Sequence, residues 1–215
     1  MYTPKYFAES DLAELDRLVA RDAFATLITV ADGAPVVSHL PVVYRREGEQ
    51  VAFHGHWARP NPQWRHGGEA LLVIHGPNAY VSPSWYPDKE SAARVPTWNY
   101  AVAHIHGRLQ ITEDVDDLAG IVGELTETNE TAIGSDWRFD RDRADLRVQL
   151  KGIVGFSLLA TRIELKFKLN QNHPEANVRS VIERMPASGQ RDGHAVAALM
   201  REKLARRGSG DQRQE

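Results

Sequence analysis

Apolar residues recur along this chain at two spacings, and the points where the spacing changes divide it into elements. Over 9–22 (ESDLAELDRLVARD), Leu12, Leu15, Leu18 and Val19 fall on one stripe with Ser10 as N-cap, which predicts an amphipathic helix. The period then drops to two. FATLITV (24–30) is β-branched and aromatic, Asp32-Gly33 has the chemistry of a tight hairpin turn, and APVVSHLPVVY (34–44) reads as the returning strand. A charged loop at 45–50 leads into a third strand, QVAFHGH (50–56).

Pro60, Pro62 and Gly67-Gly68 leave room for only a short helix near 63–66. ALLVIHG (70–76) reads as a strand ended by Gly76-Pro77, and 79–86 as another, turned by Pro83 and Pro87. The polar stretch 87–94 reads as a mobile loop. In 96–112, Val102, His104, His106 and Arg108 alternate with Ala103, Ile105, Gly107 and Leu109, a strand pattern. Residues 113–129 predict a helix burying Leu118, Ile121, Val122 and Leu125, and 140–150 a further one. A long β segment at 152–170, bent or split near Ala160-Thr161, precedes a charged helical stretch over 174–207. The expected class is α+β, mainly antiparallel β, with peripheral helices. Short connections between successive strands favour a closed or partly closed antiparallel barrel over a parallel sheet. A Rossmann dinucleotide site is disfavoured, since no Gly-x-Gly-x-x-Gly turn is present.

Composition narrows the chemistry. The 215 residues contain no cysteine, which removes disulfides, zinc–cysteine sites, iron–sulfur clusters and thiol nucleophiles. A net charge of −3 offers no overall field for nucleic acid, so direct DNA binding is not expected. The N-terminal residues lack the apolar run of a secretory signal, and the longest apolar runs fall short of the ~20 residues that span a bilayer. A cytoplasmic location without membrane contact is the expectation.

Five short segments concentrate the residues that could do chemistry: SHLP (38–41), GHWARPNPQW (55–64), GPNAYVSPSWY (76–86), VPTWNY (95–100) and FKLNQN (167–172). Four of the five tryptophans lie in them, which reads as a concave, aromatic-lined pocket rimmed by donors and suited to a flat anionic ligand. His54 with His56, and His104 with His106, are spaced i, i+2 and so share strand faces; two such pairs could converge on a metal. No carboxylate stands beside either pair. The preferred reading is therefore one histidine of each pair hydrogen-bonded within the sheet and the other facing a ligand, with no metal. No Gly-x-Ser-x-Gly elbow or apolar carboxylate pair supports hydrolytic chemistry. Arg201, Lys203, Arg206 and Arg207 form a basic run that reads as a solvated helix face.

Taken in order, YTPKYF, SHLP, GHWARPNPQW, GPNAYVSPSWY, VPTWNY with AHIHG, and FKLNQN resemble the PaiB family of bacterial FMN-binding negative transcriptional regulators, over about 1–185. The resemblance implies a split β-barrel of the pyridoxamine-phosphate-oxidase-like kind, a homodimer, and FMN in clefts between the subunits. It covers a split-barrel domain at 1–185; the charged residues after it read as a C-terminal helical extension at 186–207, and GSGDQRQE as a disordered tail at 208–215. By position it makes His39, His56, Arg59, Asn61, Trp85, Trp98, Asn99, Lys168 and Gln171 the candidate cofactor-binding residues, with no catalytic residue assigned. Asn170 stands where the family commonly has serine, and Trp57 and Pro60 replace commoner leucine and alanine. The function implied is regulation, flavin-dependent oxidation–reduction or flavin sensing. A second branch of the family implies the alternative, a haem b-dependent piperazate synthase that closes a nitrogen–nitrogen bond, with His56 as axial ligand. Trp85 and Tyr86 are expected to crowd a macrocycle more than a flavin.

Overall fold

A computed structural model describes residues 1–211 of the chain, with side chains through 207. The tail expected over 208–215 thus lies outside the described side chains, and from 212 onward outside the described residues altogether. Eight strands form one antiparallel sheet: β1 (Ala8–Glu9), β2 (Phe24–Ala31), β3 (Ala34–Pro41), β4 (Val43–Glu47), β5 (Gln50–Ala58), β6 (Gly68–Val81), β7 (Thr97–Thr112) and β8 (Ile153–Lys168). Their order is β3-β2-β6-β7-β8-β5-β4, with β1 paired to β8 off this path. Five helices accompany them: α1 (Leu12–Arg21), α2 (Val115–Ala132), α3 (Ala144–Gln149), α4 (Glu175–Arg184) and α5 (Gly193–Asp211). None of the described helices is long and apolar enough to cross a membrane.

Several elements form for the reasons their sequence suggests. Asp32 and Gly33 both take positive φ (51° and 78°), the backbone of a two-residue hairpin, and Ala31 pairs Ala34 across it. Asp114 caps α2 by accepting from the amides of Asp116 and Asp117, and Leu118, Ala119, Ile121 and Leu125 are its buried face. Elsewhere the expectation shifts. The strand expected over 34–44 is two strands, because after Pro41 the Val42 amide turns to donate to the Ala23 carbonyl. The strands expected at 70–76 and 79–86 meet in one: Pro83–Trp85 is a 3-10 turn, and β6 runs through Gly76-Pro77 and ends at Val81. Its outer end is closed by side chains: the amides of Asn78 and Tyr80 donate to Asp192 and Gln190, and Gln190 returns a bond to the Tyr80 carbonyl. The segment is not split near Ala160, and β8 is one continuous strand.

The chain divides into two compact units. One comprises 12–75 and 104–163, with Leu15, Leu27, Phe53, Trp57, Phe156 and Leu158 in its core. The other comprises 1–11, 76–103 and 164 onward, with Tyr86, Phe167, Val181, Met185, Val196 and Met200 buried. In this second unit the polar stretch 87–94 is a hydrogen-bonded turn and not an open loop. Asp88 accepts from Arg94 and from Asn177 Nδ2 (2.7 Å) on α4, and the Arg94 bond leads in holding its carboxyl down at about 2. A depressed carboxyl stabilises the fold above its ordinary value of 3.8, and that contribution is lost as pH falls toward 2. Thermal melts across that window should show a smaller acid dependence for Asp88→Asn than for the natural chain; equal slopes would remove Asp88 from the acid transition.

Candidate functional site

Each unit carries part of the candidate set. In the unit built on 12–75 and 104–163, β5 delivers His56 and the loop after it delivers Arg59 and Asn61. That loop is fixed by one buried side chain, Gln63. Its Oε1 accepts from Trp57 Nε1 (3.0 Å), and its Nε2 lies 2.9–3.2 Å from the carbonyls of Leu27 and Val36 and from Thr29 Oγ1. Fully buried, it joins the loop to β2, β3 and β5. A buried amide with all these partners specifies one loop conformation, since any other leaves several polar groups unpaired.

The same loop turns two candidates toward scaffold roles. Arg59 spends its guanidinium on the carbonyls of Lys151 (2.7 Å) and Ile153 (3.0 Å) and on Glu113. Asn61 caps the 3-10 turn Pro62–Arg65 by accepting from the Gln63 amide, and its Nδ2 donates to Ser38 Oγ (2.9 Å). His39 is exposed on β3, and Thr26 Oγ1 sits between its Nδ1 (3.1 Å) and His75 Nε2 (3.0 Å). His56 is held below its ordinary pKa by burial, and its Nδ1 is buried without a hydrogen-bond partner. Opposite His56 in the β5–β8 register is Gly155, where a Cβ would come within 2.8–3.1 Å of Thr112, Leu118 and Ile121. Helix α2 therefore closes this face. Of the other histidines singled out, burial first and Arg45 second lower the pKa of His54, and His106 Nε2 accepts from Arg162 (3.0 Å).

In the second unit, Trp98 on β7 is 52% exposed and meets Tyr80 edge-on, ring centroids 6.1 Å apart. Asn99, next in the strand, points the other way: it is fully buried, with Nδ2 3.3 Å from Met200 Sδ and Oδ1 unpartnered. On β8, Lys166 and Lys168 share a face. The Lys166 ammonium donates to the Tyr2 carbonyl (3.0 Å) and lies over the rings of Tyr100 (5.3 Å) and Tyr2 (5.9 Å). Lys168 donates to Thr97 Oγ1, and burial, then Lys166, lowers its pKa. Neither lysine has a carboxylate partner among the described residues. Two ammonium groups beside exposed and half-buried aromatic rings form a donor set that fits a planar anion. Gln171 is turned inward to its own strand end, bonding the Leu169 amide and the Phe167 carbonyl. Trp85 is half-buried, and its carbonyl accepts from Ser180 Oγ (2.5 Å).

Residues 1–162 match the family described as "Putative FMN-binding domain". Over 208 residues the chain is 34% identical to the Protease synthase and sporulation protein PAI 2 of Bacillus subtilis, covering 95% of this chain and 98% of that one. The chain belongs to the PaiB family. FMN, the cofactor expected from the resemblance, is the ligand for which that domain family is described. Two solved structures share its fold at low identity. The flavocytochrome Anf3 from Azotobacter vinelandii is 16% identical with a TM-score of 0.56, covering 77% of this chain and 72% of that one. The FAD and haem binding protein from Mycobacterium smegmatis is 17% identical with a TM-score of 0.54, covering 85% and 80%. The expected α+β class and split-barrel fold are those of this PaiB-family chain.

Within this PaiB-family chain, inspection of the sequence missed Gln63, Lys166, Tyr2 and Tyr100. Gln63 sits inside GHWARPNPQW but carries no polar pattern that marks it as a hub. Lys166 was legible in principle, because it stands two residues before Lys168 on the same strand face. The aromatic reading also needs division: Trp57 and Tyr86 are core residues at 2% and 1% exposure, whereas Trp98 and Tyr80 face outward.

Proposed function

We propose that this chain binds FMN at the aromatic and cationic face built by Trp98, Tyr100, Lys166 and Lys168, and works as a flavin-dependent oxidoreductase or flavin sensor. The observation that carries the reading is the lysine pair without carboxylates beside aromatic rings, a donor set complementary to a phosphorylated planar group. Bound there, FMN supplies reversible electron transfer; the chain's own residues hold and orient it. Arg59 and Asn61 brace the loop after β5 within their own unit. A homodimer is part of the proposal, supported by the exposed apolar side chains of Phe24, Val30 and Val37 on β2 and β3. So are a cytoplasmic location and a regulatory effect exerted without direct DNA contact, in keeping with the net charge of −3.

Haem b on His56 has weaker support, because α2 covers the side of β5 and β8 on which His56 and Gly155 lie. An ultraviolet–visible spectrum of the purified protein separates the two readings. A flavin spectrum is expected, with FMN affinity reduced roughly three- to tenfold by Trp98→Ala and roughly tenfold by Lys168→Ala. The same preparation should sediment as a dimer. Colourless protein that takes up no added FMN overturns the flavin reading, a Soret band abolished by His56→Ala replaces it with the haem one, and a monomer removes the dimer.

A further inference from the structure

Thr26, His39 and His75 are distant in sequence and adjacent in space. In the hairpin register Thr26 lies opposite His39. On the other side of β2 it lies opposite Val73, so His75, two residues further along β6, shares its face. The two histidines therefore sit on the strands that flank β2, which hold their backbones about 10 Å apart. Both rings reach inward to one point: Thr26 Oγ1 is 3.1 Å from His39 Nδ1 and 3.0 Å from His75 Nε2. One hydroxyl carries one proton, so it donates to one ring only, and the other ring must turn an N–H toward it. A metal ion imposes no such asymmetry, because each neutral ring then gives it a lone pair. The surround is apolar. On the same face Phe24 lies opposite Pro41, and Ile28 lies opposite Val37 and Leu71. Phe24 and Val37 are 55% and 48% exposed. A small polar cluster in an apolar surround suits a metal ion, since its ligands replace bound water while the surround limits access of bulk water.

We propose that His39 and His75 form a binding site for a divalent late transition-metal ion, Zn²⁺ or Cu²⁺, with the Thr26 hydroxyl beside it and water completing the coordination. Two imidazoles and an alcohol, with neither thiolate nor carboxylate, select these ions over Mg²⁺ and Ca²⁺, which take oxygen ligands. Both rings are exposed, so they can rotate to shorten a hydrogen-bond separation to a metal–nitrogen distance of about 2 Å. Their remote nitrogens have no carboxylate or carbonyl partner among the described residues. Lacking that support, the site holds an exchangeable ion and not a structural one. The proposal does not rest on the flavin reading, since it uses none of the residues proposed to hold FMN.

Equilibrium dialysis of the full chain against Zn²⁺ at neutral pH tests it. One equivalent of zinc per chain is expected to depend on these two residues, with Cu²⁺ displacing it and Mg²⁺ leaving it in place. His39→Gln and His75→Gln should each weaken that equivalent roughly tenfold or more, and the double substitution should remove it. His104→Gln with His106→Gln, which deletes the imidazole pair of the neighbouring strand β7, should leave it bound. Saturating zinc should also raise the melting temperature of the natural chain and not that of the double variant. Equal melting temperatures without metal confirm that the variants are folded; asparagine replaces glutamine in any variant that fails this check. No zinc bound at micromolar free ion, an equivalent retained by the double variant, or its loss on His104→Gln with His106→Gln would each overturn the site.

Discussion

Gln63→Leu is expected to lower the unfolding free energy by roughly 3–5 kcal/mol, the upper end of single-substitution effects. Leucine fills similar volume, so the loss is that of hydrogen bonding and not of packing. Trp57 Nε1 would be left without an acceptor and the Leu27 carbonyl without this donor, both buried, and the part-buried Val36 carbonyl would lose it too. Each buried group left unpaired costs about 1–3 kcal/mol, and partial relaxation keeps the total below the simple sum. Gln63 also fixes the Arg59–Asn61 loop, so the order of that loop should fall together with stability. Urea unfolding at neutral pH measures the first effect, and a loss under about 1 kcal/mol would show that water replaces the amide at no great cost.

The second large effect is Gly107→Ala, expected to cost about 2–4 kcal/mol, at or above the usual range for overpacking. A Cβ at Gly107 would sit 2.3 Å from the Leu159 carbonyl and 2.7 Å from Leu158 Cδ2. The first of these neighbours is backbone in a paired strand, so it cannot swing aside, and β7 would have to move off β8. Gly120 provides the internal comparison. It lies inside α2 with nothing within 4 Å of the added methyl, so Gly120→Ala should be neutral or stabilising by about 0.5–1 kcal/mol. Denaturation midpoints for the two variants should move in opposite directions. A Gly107→Ala protein as stable as the natural chain would mean that the sheet yields more easily than its pairing suggests.

The motif AHIHG shows how much of this was legible. Alternation alone placed His106 and Gly107 on opposite faces of a strand, and a side-chain period of two requires that. Why position 107 must lack a side chain depended on Leu159, fifty-two residues on, lying against it. The tryptophans make the same point from the side of function. Their concentration in a few segments suggested one aromatic pocket, yet Trp57 packs at a tilt on Phe156 in the core, whereas Trp98 is 52% exposed. Residue type and spacing carry no record of which aromatic is buried when both alternate within strands.

By itself the sequence determined the α+β class, the hairpin at Asp32-Gly33, the inward stripes of α1 and α2, and the family, because these depend on periodicity, on local backbone preference and on ordered motifs. Only the tertiary structure decided that Arg59 and Asn61 brace a loop, that Lys166 joins Lys168, and that His39 and His75 meet at Thr26. Those outcomes depend on which distant carbonyls, carboxylates and rings are brought within hydrogen-bonding reach, and that is settled by strand pairing across the whole chain.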